Sequence, residues 1–229
     1  MYHLHEQDQE QLMMRATECL DEGSSIEDKI KMARHMYDSW CEQLKREPHI
    51  HQLIEKLEGC LENSREAMLE LGIVETCKHC DEEEGGSCCG AGLENKFDTF
   101  LLLINLLLGV SLPEGHRRLD SCYLLTDKGC TLKVRLVLCV DFLCHKILNT
   151  MSHGDLIRLQ QVSGDELTTG FMLYDAIKKF MRNTRHWQAS EKVSGTAPNV
   201  IPDETKSRSG IHSSIVFSGF RTVASLLPE

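Results

Sequence analysis

The 229-residue chain has no basic stripe: its 25 Lys and Arg are outnumbered by 35 Asp and Glu, giving a formal charge of −10. Proteins that grip nucleic-acid phosphates concentrate positive charge on one face, so nucleic acid is excluded as the main partner. Two short basic patches, His116-Arg117-Arg118 and Lys178-Lys179, read as solvated helix ends. Long apolar runs are also missing. The longest, "FLLLINLLLGV" at 100–110, has eleven residues and is interrupted by Asn105. A bilayer span needs about 20, so this run reads as a buried core helix and no membrane span is expected. The opening "MYHLHEQDQEQLMMR" is acidic and polar. It lacks the basic start and apolar stretch of a secretory signal, and a cytoplasmic location is expected. GxGxxG, Walker, HExxH and GxSxG motifs are all absent, so no substrate class is named.

What is present is ordinary in bulk and unusual in one residue type. Hydrophobic residues at 41% and charged residues at 26% suit a globular protein with one substantial domain. Eleven cysteines stand out. A chain of this length does not need disulfide staples to make up for a small core, and a reducing compartment would not keep them. Eight of them, Cys77, Cys80, Cys88, Cys89, Cys122, Cys130, Cys139 and Cys144, fall within 68 residues; Cys19, Cys41 and Cys60 are scattered over the rest. The scattered three read as structural residues, Cys41 as a small hydrophobe on an apolar helix face.

Most of the chain reads as helix. Ser24 and Glu27 have capping-box spacing ahead of apolar residues recurring at helical intervals from Ile30 to Leu44. Pro48 can open a second helix, where its missing N–H costs nothing; the apolar positions from Ile50 to Leu71 continue it toward Gly72. The expected organisation is a helical hairpin over 1–72, an eight-cysteine module over 73–150, a helical segment over 151–187 and a flexible linker with an apolar tail over 188–229. The module should begin with a cysteine-rich loop. "CTLKVRLVLC" alternates as a strand would, and the later helix has a candidate break at Ser163-Gly164. The expected fold class is mainly α, a helical domain around a central cysteine-rich metal-binding module with little β structure.

The cysteine spacing has chemical content. In Cys77-Lys78-His79-Cys80, two intervening residues let both sulfurs turn toward one ion, as in many zinc and iron–sulfur sites. Gly85, Gly86, Gly90 and Gly92 flank Cys88-Cys89 and could let the backbone wrap a cluster. Adjacent side chains of an extended pair diverge, so Cys88 and Cys89 more easily serve two centres than one. His79 and His145 stand beside candidate ligands and could substitute for one, but read first as exposed or supporting residues. The acidic run at 81–84 reads as a solvated loop. Only one CxxC exists, which rules out a two-knuckle zinc ribbon, and no βαβ pattern surrounds it as in a thioredoxin-type pair.

This eight-cysteine order resembles the zinc- or iron-chelating CxxCxxCC (YkgJ-like) domain family, over about residues 77–144. "CTLKVRLVLCVDFLC" has the family's spacing, with Cys130, Arg135, Cys139, Phe142 and Cys144 in register, and the segment from Cys122 to Cys130 resembles the one that precedes it. The seven residues between Cys80 and Cys88 exceed the family's usual gap. Leu136 and Leu143 replace its prolines, and Val140 stands where arginine is frequent. The resemblance implies a chelating role for the eight cysteines.

An iron–sulfur cluster is the first expectation for the cofactor and zinc the second. Three roles follow. The chain could be a metal-binding module with redox or electron-transfer duty beside a protein partner. It could be an iron–sulfur enzyme, since a flagellin lysine methylase carries a similar cysteine pattern and makes methyl transfer thinkable. It could be a zinc-stabilised interaction scaffold. Catalytic residues, substrate and oligomeric state are not specified by the sequence.

Overall fold

The computed structural model describes residues 23–83 and 88–193, with side chains described as far as Thr184. Cys19, the Gly85-Gly86 pair and the tail from 194 onward lie outside the described residues. The protein is mainly helical, and none of its described helices is long and apolar enough to cross a membrane. Among the described residues seven helices follow in chain order: α1 Ile26–Arg46, α2 Pro48–Glu70, α3 Ile73–Glu82, α4 Thr99–Leu107, α5 Val137–Asp141, α6 His145–Thr150 and α7 His153–Val193. A 3₁₀ turn at Leu93–Lys96 precedes α4, and two antiparallel two-residue strands, β1 Leu125–Thr126 and β2 Gly129–Cys130, follow it.

Local chemistry sets the helix ends. The cap of α1 is Ser25, whose hydroxyl accepts from Asp28 N–H at 3.2 Å; the box expected at Ser24 and Glu27 is shifted by one residue. Glu47 alone separates α1 from α2, and Pro48 opens α2 as its sequence position suggests. Gly72, at φ +69°, takes the left-handed conformation that lets α3 start in a new direction. Asp98 caps α4 by accepting from Leu101 N–H at 2.8 Å, and its other oxygen accepts from Tyr174 of α7 at 2.9 Å.

Packing builds three apolar clusters in a row. α1 packs chiefly on α4, and α2 chiefly on α7. The main core lies among these four helices, around Leu44, Leu57, Leu103, Ile104, Leu173 and Ile177, each no more than 1% exposed. Each such side chain contributes about 2 kcal/mol by leaving water. A second cluster joins the start of α1 to Phe97, Leu102, Leu112 and the segment from Cys122 to Leu132. A third joins the end of α2 (Ala67, Met68) to Ile73, Val140, Ile147 and Leu159.

Three local expectations are corrected. The CxxC stands on helix α3 and not in a loop. "CTLKVRLVLC" is no strand beyond Cys130: residues 131–136 are irregular and 137–141 are helical. Its alternation instead puts Leu132 and Val134, both 5% exposed, inward between exposed or half-buried neighbours. Finally, α7 runs through Ser163-Gly164 without a break, because Ser163 faces α2 and is 4% exposed while Gly164 sits on the open side.

Candidate metal centre

Asn105, the polar interruption in the apolar helix, anchors the segment between two of the cysteines. Its side chain is completely buried. Nδ2 donates to the Leu101 and Val134 carbonyls at 2.9 Å each. Oδ1 accepts from Lys133 N–H at 2.9 Å and Val134 N–H at 3.0 Å. An irregular segment has no ladder to satisfy its buried backbone, and here one amide side chain supplies the partners. Lys133 Nζ then donates to the last-turn carbonyl of Leu108 at 2.8 Å. The effect is to fix the backbone that leads into Arg135.

Around that segment the thiols fall into two neighbourhoods. α3 carries Cys77 and Cys80 three residues apart, hence on neighbouring positions of one helix surface. α6 packs against α3, and Cys144, its N-cap, sits against the third apolar cluster with Ile73. The other neighbourhood lies on the second cluster, where Cys122 is buried and Cys89 and Cys139 pack at its edge. Cys122 N–H donates to the Cys89 carbonyl at 2.7 Å, and Gly90 bridges to Ser121. Cys130 pairs with Leu125 across the short hairpin, and Leu125 N–H in turn donates to the Cys122 carbonyl at 3.0 Å.

Electrostatics follows the same division. Burial raises the Cys77 thiol, and Cys144, Cys88 and Cys80 raise it further. Cys88 is raised by burial and then by Cys144 and Cys80. Burial pushes Cys89 up to about 12, with Cys130, Cys122 and Cys139 as its main like-charge neighbours and Cys77 the least. Cys122 is pushed up to about 11 by burial, helped by Glu94, Cys130 and Cys139. Cys130 and Cys139 are also raised, first by burial. Arg135 opposes the rise at Cys77, Cys130 and Cys139, and its guanidinium donates to Met68 Sδ at 3.5 Å. Backbone N–H groups two residues along steady two of the sulfurs, Leu124 for Cys122 and Leu132 for Cys130. Cys77, Cys88 and Cys130 are exposed as residues, and the Cys130 thiol is crowded even so.

Neighbourhood is not coordination. Among the described residues, no group of three or more His, Cys, Asp or Glu side chains converges closely enough to hold one ion. Repulsion between thiolates acts over several ångströms, whereas a zinc–sulfur bond is about 2.3 Å. The donor chemistry nevertheless fits iron–sulfur or zinc: soft sulfur ligands, N–H groups toward sulfur and one fixed cation.

Other residues are placed differently from their sequence reading. Arg117 and Arg118 are not solvated helix ends. They clasp Asp81 at 3.4 and 3.5 Å, and Arg117 also pairs with Asp127. Asp81 is therefore part of a buried link between α3 and the loop before Cys122, and not of a solvated acidic loop; it is 9% exposed. His79 pairs with Glu83 at 3.1 Å and is exposed, as is His145. Of the described glycines near Cys88-Cys89, only Gly92 has positive φ, and its N–H goes to Glu94, not to sulfur. Glu94, 5% exposed, also accepts from Tyr123 N–H at 3.4 Å. Cys41 packs on the main core and Cys60 Sγ lies 3.7 Å from Thr169 Oγ1. The sequence offered a signal for Asn105, a lone amide in an apolar helix, and for Arg135 through its spacing from Cys130 and Cys139, but none for Asp81 or Glu94.

An open cavity of about 700 Å³ is lined by Glu47, His49, Phe171, Lys179 and their neighbours. It lies at the beginning of α2, whereas the thiols gather near its end at Met68. The intervening stretch of helix is roughly 27 Å long, so this cavity cannot present a substrate to the thiols. No protein-family model, no curated protein and no solved structure matches the chain.

Proposed function

We propose that this chain is a metal-binding protein whose eight central cysteines hold iron–sulfur and serve electron transfer with a partner protein. The supporting observation is that the chain brings Cys144 to the third cluster beside α3, which carries Cys77 and Cys80, and Cys89, Cys122 and Cys139 to the second cluster, with Cys130 on the adjoining hairpin. Thiols in these surroundings stay protonated when free, and a bound cation would stabilise their deprotonated form. A bound cluster would supply one-electron redox chemistry. The chain's own part is to hold the sulfurs, to direct the Leu124 and Leu132 amides at them and to keep Arg135 near. Val137, Leu138 and Phe142 flank Cys139 and are 60%, 57% and 54% exposed, an apolar surface on which a partner could dock.

Zinc is the second reading, carried by the scarcity of regular structure between Val110 and Leu136. There the only strands are two residues long, and a structural ion would tie such loops together.

The test is an absorption spectrum of anaerobically purified protein with iron, zinc and acid-labile sulfide analysis. Brown protein with iron and sulfide supports the first reading, and colourless zinc protein the second. Folded protein that neither contains nor takes up either metal removes both.

A further inference from the structure

We propose that the contact between α2 and α7 is built around a bound internal water molecule, held by Ser64 Oγ, Ser163 Oγ and Glu166 Oε1. The inference concerns the helical bundle and stands apart from the metal-binding reading.

The register of the two helices carries it. α2 packs chiefly on α7, and the two run antiparallel. Cys60 of α2 meets Thr169 of α7, Sγ to Oγ1 at 3.7 Å. Glu70, at the end of α2, pairs with Arg158, near the start of α7. Glu70 is ten residues on from Cys60 and Arg158 is eleven back from Thr169, so the register holds to within one residue. Four residues on from Cys60 is Ser64, and four back from Thr169 is Asp165, between Ser163 and Glu166. Residues three apart are neighbours on one helix surface. Ser163 and Glu166 are such a pair, at 4% and 2% exposure, while Gly164 and Asp165 between them are exposed. Ser64, completely buried, therefore lies level with both across the interface. The Ser64 hydroxyl also draws the burial-raised carboxyl of Glu166 back down, as a near neighbour does.

Chemistry then selects the ligand. None of the three oxygens has a well-formed hydrogen bond among the described residues, and buried polar atoms left unpaired call for an explanation. Two serines leave room that the same face of α2 fills elsewhere with Leu57, seven residues earlier, and Met68, four residues later. Internal waters make about three hydrogen bonds to groups of this kind, and two hydroxyls and a carboxyl supply three. A water both donates and accepts, as a mixed set of partners requires. Ca²⁺ and Mg²⁺ take about six or more oxygen ligands, which one carboxyl and two hydroxyls do not provide, and Glu166 opposes an anion. Apolar packing closes the site along both helices. The main core reaches Leu57 and Leu173 on one side, and the third cluster resumes at Ala67, Met68 and Leu159 on the other. A water enclosed there leaves only when the α2–α7 contact opens, so it stays longer than the molecule takes to tumble.

The test is ¹⁷O magnetic relaxation dispersion of water on the full chain, which counts waters held longer than the tumbling time and is blind to exchanging hydroxyl protons. Wild type is compared with Ser64→Ala/Ser163→Ala. The expected result is a smaller dispersion in the variant, by the amplitude of one long-lived water. Equal amplitude in wild type and folded variant overturns the proposal. A crystal structure of the wild-type chain checks it without a variant. One water within about 3.2 Å of all three oxygens supports the site. Direct bonds that satisfy the three oxygens, with no density between them, overturn it. Should the variant not fold, the crystal structure decides alone.

Discussion

Asn105 illustrates what one residue can hold. Its amide satisfies three backbone groups of Lys133 and Val134, and the two on Val134 are enclosed by the main core. Asn105→Leu fits an apolar helix better by volume and polarity but leaves those groups without partners. Each buried orphan costs about 1–3 kcal/mol, so a loss of about 3 kcal/mol in unfolding free energy is expected by denaturant titration. A loss below about 1 kcal/mol would show that the segment finds other partners. Glu166 poses the reverse case. It is 2% exposed, and Glu166 Oε1, Ser64 Oγ and Ser163 Oγ lack well-formed hydrogen bonds. Burial raises its carboxyl above the ordinary 4.5, while Ser64 and then Arg135 pull it back. The folded state therefore binds this proton more tightly than the unfolded chain. Stability contributed at that site falls as pH rises from 4.5 through the raised value. Glu166→Gln removes the slope, so its stability relative to wild type should improve from acid toward neutral pH. A difference independent of pH, or one that moves the other way, would contradict this account. The cysteines and Asn105 were legible residue by residue, because thiols and a lone amide announce themselves by type. Asp81 and Glu94 were not: their roles come from groups that are distant in sequence, and a charged residue in a string looks solvated until its partner is located.

At the scale of elements, legibility followed periodicity. α1, α2 and α4 were readable because 3.6-residue spacing and their start signals coincide, with Pro48 the clearest. The short elements were not. The alternation in 130–139 comes from burial of Leu132 and Val134 under α4, with Asn105 standing in for a strand partner. The CxxC looked like a loop because glycines crowd after it, yet Gly72 starts a helix that carries both cysteines. Ser163-Gly164 looked like a break because both residues are poor helix formers. In α7 the position of Gly164 is solvent-facing, and a Cβ built there meets nothing within 4 Å. Gly164→Ala should therefore stabilise the protein by about 0.5–1 kcal/mol, through lower unfolded-state entropy alone. The change should appear as a raised Tm with unaltered metal content; destabilisation would mean that α7 needs a pliable point here.

On the scale of the molecule, two kinds of order coexist. The bundle of α1, α2, α4 and α7 buries a continuous apolar core and needs no ion to hold together. The segment from Val110 to Leu136 has a different source of order. It rests on isolated backbone bonds, a two-residue hairpin, the Asp81 clasp and the Asn105 contacts. It also sinks Leu112, Tyr123, Leu124 and Leu132 into the second cluster, yet short, isolated backbone bonds open at lower free energy than a helix bundle, and a metal bound to Cys122 and Cys130 would add its binding energy to that segment alone. Hydrogen exchange on the metal-loaded and metal-stripped full chain should therefore separate the two. Protection across α2 and α7 should stay the same, circular dichroism should keep its helical amplitude, and amides between 119 and 133 should exchange at least tenfold faster once metal is removed. Equal exchange in that segment with and without metal would mean that its hydrogen bonds suffice without the thiols. Collapse of α2 and α7 on stripping would mean that the bundle depends on the metal after all, because their contact with α5 and α6 through the third cluster would then be coupling the two halves.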